Sequence, residues 1–395
     1  MSSTQGVEQS LEAGVESGMC LEFSRSQKQA RQEFRRFVRR EVAPYAGDWD
    51  REGRLPQGII EQLRRRGYLG APLPLEAGGQ GMEAITYGLL TEELGRGCSA
   101  VRTVLTVHDM VAVTVWRWGN RRLKQELVPR MTSGEILCAL ALSEPEVGSD
   151  AKAVLTEARL EGGHYLLNGH KKWISFGQIA DLFMVFARCQ GKLAAFLVPS
   201  DAPGLSRQPI QDLLGSRATM LAELRLEECR IPEDHLVGRV GFGFSHVGST
   251  ALEQGRYSVA WGSVGIAQAC LDACSDYTAK REQFGRPIGE HQLVRRKLTE
   301  MIVNTRAARL LCCRAGWLRQ NRDPGAAIET MVAKYHASRT ARQAAADAVQ
   351  LHGANGLTGE YPVARYLRDA TVMEIIEGST QIQQIAIAKY PPAEL

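Results

Sequence analysis

Apolar positions in the first third of the chain recur every three or four residues, the spacing of one face of a helix. In RSQKQARQEFRRFVRREVAPYA, Phe34, Phe37 and Val38 share that face, charge covers the other, and Pro44 is expected to end the helix. LPQGIIEQLRRRGYLG predicts a second helix stopped at Gly67 or Gly70. Beyond the loop PLPLEAGGQGM lie two longer helical patterns, ITYGLLTEELGRG and VRTVLTVHDMVAVTVWRWG. Everything to about residue 135 is therefore expected to be helical.

The pattern changes at ILCALALSEP. Short alternation before Gly162-Gly163, followed by HYLLNGHKKWIS, predicts a hairpin turn between paired strands. LFMVFARC and LAAFLVP are apolar runs bounded by turn residues, and LAELRLEECRIP alternates with period two. After GFGFSHV the helical period returns in three long stretches, running from ALEQGRYSV to REQF, from HQLVRRK to WLRQ, and from AAIETMV to QLHG. Their length suits an antiparallel bundle. The predicted class is α+β: a leader at 1–24, an N-terminal helical domain at 25–136, a middle β-barrel-like domain at 137–236 and a C-terminal four-helix bundle at 237–395. Strands that cluster in this way, instead of alternating with helices, exclude a dinucleotide-type fold. Neither a G-x-G-x-x-G after a strand nor a G-x-x-x-x-G-K-[ST] is present.

Composition narrows the picture only slightly. The 395 residues are 44% hydrophobic and 23% charged, which is ordinary for a globular protein, and their number favours more than one core. A net charge of +4, with no nucleic-acid-binding motif, gives no reason to expect nucleic acid as a partner. The nine cysteines are scattered without C-x-x-C and read as reduced, small apolar residues. With no H-e-x-x-H-type spacing among the eight histidines, no metal site is expected. No apolar run approaches the roughly 18–20 residues of a membrane span. Glu8, Glu12 and Glu16 speak against a transit peptide, so a cytoplasmic location is expected.

Four stretches carry candidate chemistry. LSEPEVGSD places a Gly-Ser pair at the end of a strand, where backbone N–H groups can cradle an anion. KKWISFG puts an indole beside a hydroxyl, and KREQFGRPIGEHQ surrounds an aromatic ring with arginines suited to phosphate clamping. The last is QLHGANGLTGEYPVARYLRDA together with MEIIEGSTQIQ, where Glu377 interrupts an apolar run. Each alone is equally compatible with a turn, a packed tryptophan or a connecting loop.

In order and spacing, the four together resemble the signatures of the acyl-CoA dehydrogenase family of flavoproteins, from about residue 25 to the end. LSEPEVGSD is similar to T-E-P-x-x-G-S-D, WIS to W-I-T, REQFG to R-x-x-F-G and IIEGSTQIQ to Y-E-G-T-x-Q-I-Q. RYSVAWGSVGIAQAC, REQFGRPIGEHQLV and MEIIEGSTQ further resemble the dehydrogenases that make hydroxymalonyl or methoxymalonyl extender units on acyl carrier proteins.

The resemblance implies the α, β, α fold, a homo-oligomer (dimer or tetramer), and FAD between the β-domain and the bundle. It places Leu140, Leu142, Ser143, Gly148 and Ser149 along the flavin, with Trp173 near the ring and Ser175 in place of the usual Thr. Arg281, Gln283, Phe284, Ile288, His291 and Gln292 would meet the FAD of a neighbouring subunit, and Gln350, Gly353, Ser379 and Gln381 would complete the cofactor site. The acyl thioester would contact Ser149, Glu253, Arg256, Ile376 and Gly378. Glu377 falls on the catalytic base, and Gly255 stands where some relatives carry that carboxylate instead. Ile376 replaces a common Tyr, which changes the pocket wall.

The implied reaction removes an α-proton and a β-hydride from a short, polar acyl thioester, glyceryl-type on an acyl carrier protein, in polyketide extender-unit biosynthesis. Reoxidation would fall to an electron-transfer flavoprotein or oxygen. The basic face of Arg35, Arg36, Arg39 and Arg40 invites an acidic carrier protein. Two other readings stay open: an ordinary short-chain acyl-CoA dehydrogenase of catabolism, and a non-catalytic relative that binds thioester or partner.

Overall fold

The computed structural model describes residues 22–390. The expected leader lies almost wholly outside them. Ser24 starts the first helix by accepting from the Gln27 N–H, while the Gln27 side chain caps the Ser24 N–H in return. That helix, α1 (Arg25–Glu41), buries Phe34, Phe37 and Val38 as its spacing predicts. A short α2 (Ala46–Glu52), not foreseen in the sequence pattern, precedes α3 (Gln57–Arg65). Then come α4 (Ala84–Gly97), α5 (Ser99–Trp118), α6 (Arg121–Glu126) and α7 (Val128–Thr132).

Two adjacent glutamates bind these helices together. Glu92 and Glu93 on α4 are buried, and arginines surround both. Arg31 and Arg309 hold Glu92, while Arg31, Arg35 and Arg96 hold Glu93. Burying two carboxylates is costly unless each is paired and hydrogen-bonded, and here each receives guanidinium donors. Arg35 is therefore a structural ion-pair partner. Of the four arginines read as a docking face, only Arg36, Arg39 and Arg40 are exposed.

The middle region is an eight-stranded sheet: β1 (Cys138–Ala141), β2 (Glu157–Glu161), β3 (His164–Ile174), β4 (Leu182–Cys189), β5 (Lys192–Pro199), β6 (Leu205–Pro209), β7 (Ala222–Pro232) and β8 (Leu236–Val237). Its pairing path runs β6-β7-β3-β2-β4-β5-β8, and β1 adds to β4 in parallel. The β2–β3 hairpin turns at Gly162 and Gly163, both with positive φ, as the Gly-Gly pair predicts. The inward residues of β4, β5 and β7 build a core of Phe183, Val185, Phe196, Leu224 and Ile231.

A π-helical turn at Gly243–Gly248 leads into α8 (Ser249–Lys280), which runs alongside α9 (Gln292–Gln320) and α10 (Ala326–His352). The bundle's fourth member is the shorter α11 (Val363–Met373), and α12 (Thr380–Ala388) closes the described chain. The first of the three long C-terminal stretches is expected to run through REQF, but α8 stops at Lys280. The following residues form a two-stranded hairpin, β9 (Glu282–Gln283) and β10 (Arg286–Pro287). Phe284 and Gly285 turn it with φ of 54° and 75°, a two-residue geometry that cannot continue a helix.

All eight cysteines of the described residues are free and buried. No helix there is long and apolar enough to cross a membrane.

Candidate active site

Glu377 lies in the turn between α11 and α12, with φ of 55°, followed by Gly378 at 87°. A left-handed glutamate costs roughly 1–2 kcal/mol and persists only where its surroundings impose it. Here they do. Arg256 Nε of α8 donates to the Glu377 carbonyl at 3.1 Å, and Lys334 Nζ of α10 donates to the Gly378 carbonyl at 2.8 Å. Gln383 Nε2 of α12 reaches both carbonyls at 3.1 Å, and Ser379 caps α12 through the Ile382 N–H. The Glu377 N–H takes no protein partner among the described residues.

The side chain enters a gap made by one glycine. A Cβ on Gly255 would sit 2.4 Å from Glu377 Oε2 and 2.8 Å from the Met110 sulfur. The residue as a whole is only partly covered, but Oε2 is buried and has no hydrogen-bond partner among the described residues. Burial pushes the Glu377 pKa up to about 7, against the pull of Arg256, Arg102 and Lys334. A carboxylate poised there is matched to proton abstraction near neutrality.

The second cluster is the loop after β1. Glu144 is buried and accepts from the Leu155 and Thr156 N–H groups, at 2.7 and 2.9 Å, and from Lys171 Nζ at 2.7 Å. Lys171 also donates to the Leu142 carbonyl, and the Lys172 N–H donates to Ser143 O at 2.9 Å. These bonds pin Leu142 and Ser143 against the end of β3. A register shift between Lys171 and Ile174 in the β3–β7 pairing throws Trp173 outward, at φ 66° and 52% exposed. Ser175 keeps a partly exposed hydroxyl with no protein partner among the described residues. Gly148 and Ser149 stand in the open part of the same loop, with nothing within 4 Å of a Cβ built on Gly148. A planar ring with a phosphate tail suits this arrangement: an exposed indole, a free hydroxyl, and backbone open to close approach.

The remaining sequence-predicted residues form a third cluster, far away. Arg281 follows Arg256 by 25 positions, so along helical geometry the two lie roughly 37 Å apart. Around it are Gln283, Phe284, Arg286, Ile288, His291 and Gln292, with His291 Nε2 against the Gln283 carbonyl at 3.1 Å. Gln350 and Gly353 belong here as well, because His352 stacks on Tyr277 at 4.2 Å. They were grouped with Ser379 and Gln381. The structure separates them: Lys334, which touches Gly378, precedes Gln350 by roughly 24 Å of α10. Phe284 is 95% exposed at the hairpin tip.

Of the substrate candidates, Arg256, Ile376 and Gly378 surround Glu377, whereas the Glu253 carboxylate is already engaged by Arg319 at 2.8 Å. Sequence reasoning missed Arg102, Lys334, Glu144 and Lys171. Arg102 was visible as a cation inside the apolar run of α5, and Glu144 and Lys171 lie within the LSEPEVGSD and KKWISFG stretches; Lys334 gives no local signal.

Profiles of the acyl-CoA dehydrogenase N-terminal, middle and C-terminal domains match residues 24–135, 139–229 and 241–390. The chain belongs to the acyl-CoA dehydrogenase family. An acyl-CoA dehydrogenase of Bacillus subtilis is 37% identical over 376 residues, covering 94% of this chain and 99% of the relative. The mitochondrial short-chain specific acyl-CoA dehydrogenase of Rattus norvegicus is 36% identical, covering 93% and 90%. Among solved structures, a glutaryl-CoA dehydrogenase from Mycobacterium smegmatis in complex with FADH2 superposes with TM-score 0.89 at 28% identity, covering 93% and 94%. The prolyl acyl carrier protein oxidase AnaB does so with 0.89 at 28%, covering 93% and 99%. FkbI, for biosynthesis of a methoxymalonyl extender unit, gives 0.83 at 33%, covering 91% and 98%. The protein is thus an FAD-dependent acyl-thioester dehydrogenase, and the α, β, α reading of its fold holds.

Proposed function

We propose that this dehydrogenase acts on a short, polar acyl group, glyceryl-type and carried on an acyl carrier protein, in making a polyketide extender unit. The observation that carries the polar part is Arg102. Its side chain is fully buried and feels the Glu377 carboxylate, with no carboxylate at ion-pair distance among the described residues. Burial pulls its pKa down to about 10, against the attraction of Glu377. An uncompensated guanidinium is a poor wall for an alkyl chain and a good one for oxygen. The carrier part is supported by the likeness to AnaB and FkbI, and by exposed Arg36, Arg39 and Arg40.

The Glu377 carboxylate removes the α-proton. Its unengaged backbone N–H donates to the thioester oxygen, where negative charge develops. Ser149 and Ser175, with Trp173 and the pinned Leu140–Ser143 segment, hold the cofactor against the substrate. Bound FAD supplies the two-electron acceptor for the β-hydrogen. A double bond forms between the α- and β-carbons; in a glyceryl group, where both carbons bear hydroxyls, the resulting enediol tautomerises to a 3-oxo acyl thioester. The distal cluster around Phe284 covers the cofactor of a neighbouring subunit in a homo-oligomer.

The short-chain dehydrogenases that resemble the chain equally support a catabolic acyl-CoA substrate. Anaerobic bleaching of the flavin absorbance separates the two. Bleaching by glyceryl-carrier protein and not by butyryl-CoA is expected; the reverse result would return the protein to ordinary acyl-CoA oxidation.

A further inference from the structure

Two consecutive carbonyls in the turn that carries Glu377 are held by side chains far apart in the sequence. Arg256 Nε of α8 and Gln383 Nε2 of α12 donate to Glu377 O, both at 3.1 Å. Lys334 Nζ of α10 and the same Gln383 nitrogen donate to Gly378 O, at 2.8 and 3.1 Å. On the entering side, the Ile375 and Ile376 N–H groups donate to Val372 O at 3.0 and 3.1 Å. The turn is thus fixed on both sides of Glu377. The Glu377 N–H and carboxylate themselves take no partner among the described residues.

Fold stability does not account for this arrangement. Lys334 is fully buried with no carboxylate at ion-pair distance among the described residues, and burial pulls its pKa down to about 8. Gln383 is 1% exposed; its nitrogen bridges the two carbonyls, while its own oxygen is buried without a partner among the described residues. Glu377 is left-handed. A buried lone cation, an orphaned acceptor and a strained backbone each cost stability, and such costs gather where a fold serves chemistry. The cations are also diverted in a particular way. Arg256 and Lys334 both attract the Glu377 carboxylate, yet each is bonded to a backbone oxygen, and the carboxylate lies in the gap at Gly255. A direct ion pair would favour the ionised carboxylate and make it a weaker base.

We infer that Lys334 and Gln383 are positioning residues of the reaction. With Arg256 they clamp the Glu377 and Gly378 carbonyls, which keeps the Glu377 carboxylate free for the α-proton and aims its N–H at the thioester oxygen. This rests on the dehydrogenase reading above and deepens it. Both residues act through the backbone. Peptide units are rigid, so anchoring Ile376 on one side and two carbonyls on the other fixes the direction of the groups between them. Lys334 and Gln383 share the Gly378 oxygen, so their effects are coupled.

The test uses FAD-loaded protein, pantetheine thioesters and two readouts, all above the acid limb of kcat. Anaerobic flavin reduction by glyceryl- and butanoyl-pantetheine gives kcat and KM. Acetoacetyl-pantetheine can lose an α-proton but has no hydrogen on its β-carbon to give as hydride. Its enolate against the oxidised flavin is read as a long-wavelength charge-transfer band. Gln383→Met removes the bridging donor without changing charge. It should lower kcat and the affinity for the enolate by about tenfold each, with KM within about twofold and the acid limb of kcat in place. Lys334→Met should lower both by about tenfold, and the double variant by well under the roughly 100-fold of independent sites. Flavin content and melting temperature report that the variants fold.

A rise in KM with kcat retained would make the clamp structural and overturn the inference. So would an unchanged enolate affinity, a loss that tracks melting temperature and flavin content, or losses that multiply in the double variant. In those cases wild-type bleaching keeps the dehydrogenase reading. No bleaching of the wild type by any thioester would sink both.

Discussion

The two ends of α8 make opposite demands on the same helix. At its start, Gly255 and Arg256 form the wall behind Glu377, where the carboxylate is desolvated and its turn is held by three side chains from three helices. At its end, the β9–β10 hairpin holds Phe284 almost fully in solvent, with exposed Arg281, Gln283 and Gln292 around it. One end is enclosed by α5, α8, α10 and the turn before α12 of the same chain. The other is an apolar tip ringed by polar groups, the kind of surface that protein partners cover. Residues that sequence motifs group as one cofactor site thus lie in two places within one chain, as the rigid length of a helix requires.

Removing the base should have the largest effect on that contrast. Glu377→Gln keeps the shape and the backbone contacts but cannot take a proton. Flavin reduction by substrate should fall by about 10⁴-fold with FAD retained, as stopped-flow bleaching would show. Rapid bleaching by this variant would mean that another group is the base.

Gly255→Ala should lower kcat by about 100-fold, because the added methyl displaces the Glu377 carboxylate from its gap and misplaced groups lose about this much. The same substitution at Gly353, in open space at the far end, has no carboxylate to displace. Its left-handed φ predicts lower thermal stability instead, read by melting temperature.

At the distal end, Phe284→Ser should leave the fold intact, since the ring packs on almost nothing within the chain. It should instead weaken subunit association and FAD retention by about tenfold, measured by sedimentation and flavin release. Unchanged assembly would move the neighbour contact elsewhere.

Lys334→Met should change the pH profile. Lys334 holds the pKa of Glu377 down, so its removal raises that pKa. The base works only when deprotonated, so the acid limb of kcat moves to higher pH. Loss of the donor to Gly378 should also lower kcat by about tenfold. An acid limb that stays in place would show that Glu377 does not set it.

The smallest effect is expected from neutralising Arg36, Arg39 and Arg40 while sparing Arg35, whose charge holds Glu93. The KM for a carrier-bound substrate should rise about threefold and lose its salt dependence, with pantetheine substrates unaffected.

Much of this was legible in the residues themselves. The helical period around Phe34, Phe37 and Val38, the alternation in LAELRLEECRIP and the Gly162-Gly163 turn are local signals, and their elements formed where the pattern placed them. Glu377 stood out because a carboxylate among apolar residues at an element boundary is unusual. Gly255 could be noted as a gap in a motif. That the gap is filled by Glu377 Oε2 depends on two segments 122 residues apart meeting, which no local pattern encodes.

Sequence alone therefore determined the α, β, α order and the family, and singled out Glu377 as the candidate base, because each rests on short-range periodicity or on residues adjacent in the chain. Tertiary structure decided the rest. It turned Arg35 from a docking candidate into an ion-pair partner of Glu93, and ended α8 at a hairpin that carries an aromatic into solvent. It parted Gln350 and Gly353 from Ser379 and Gln381, and gathered Arg102, Arg256 and Lys334 from three helices around one carboxylate. Whether a polar side chain is satisfied depends on which distant segment it meets, and only the packed chain settles that.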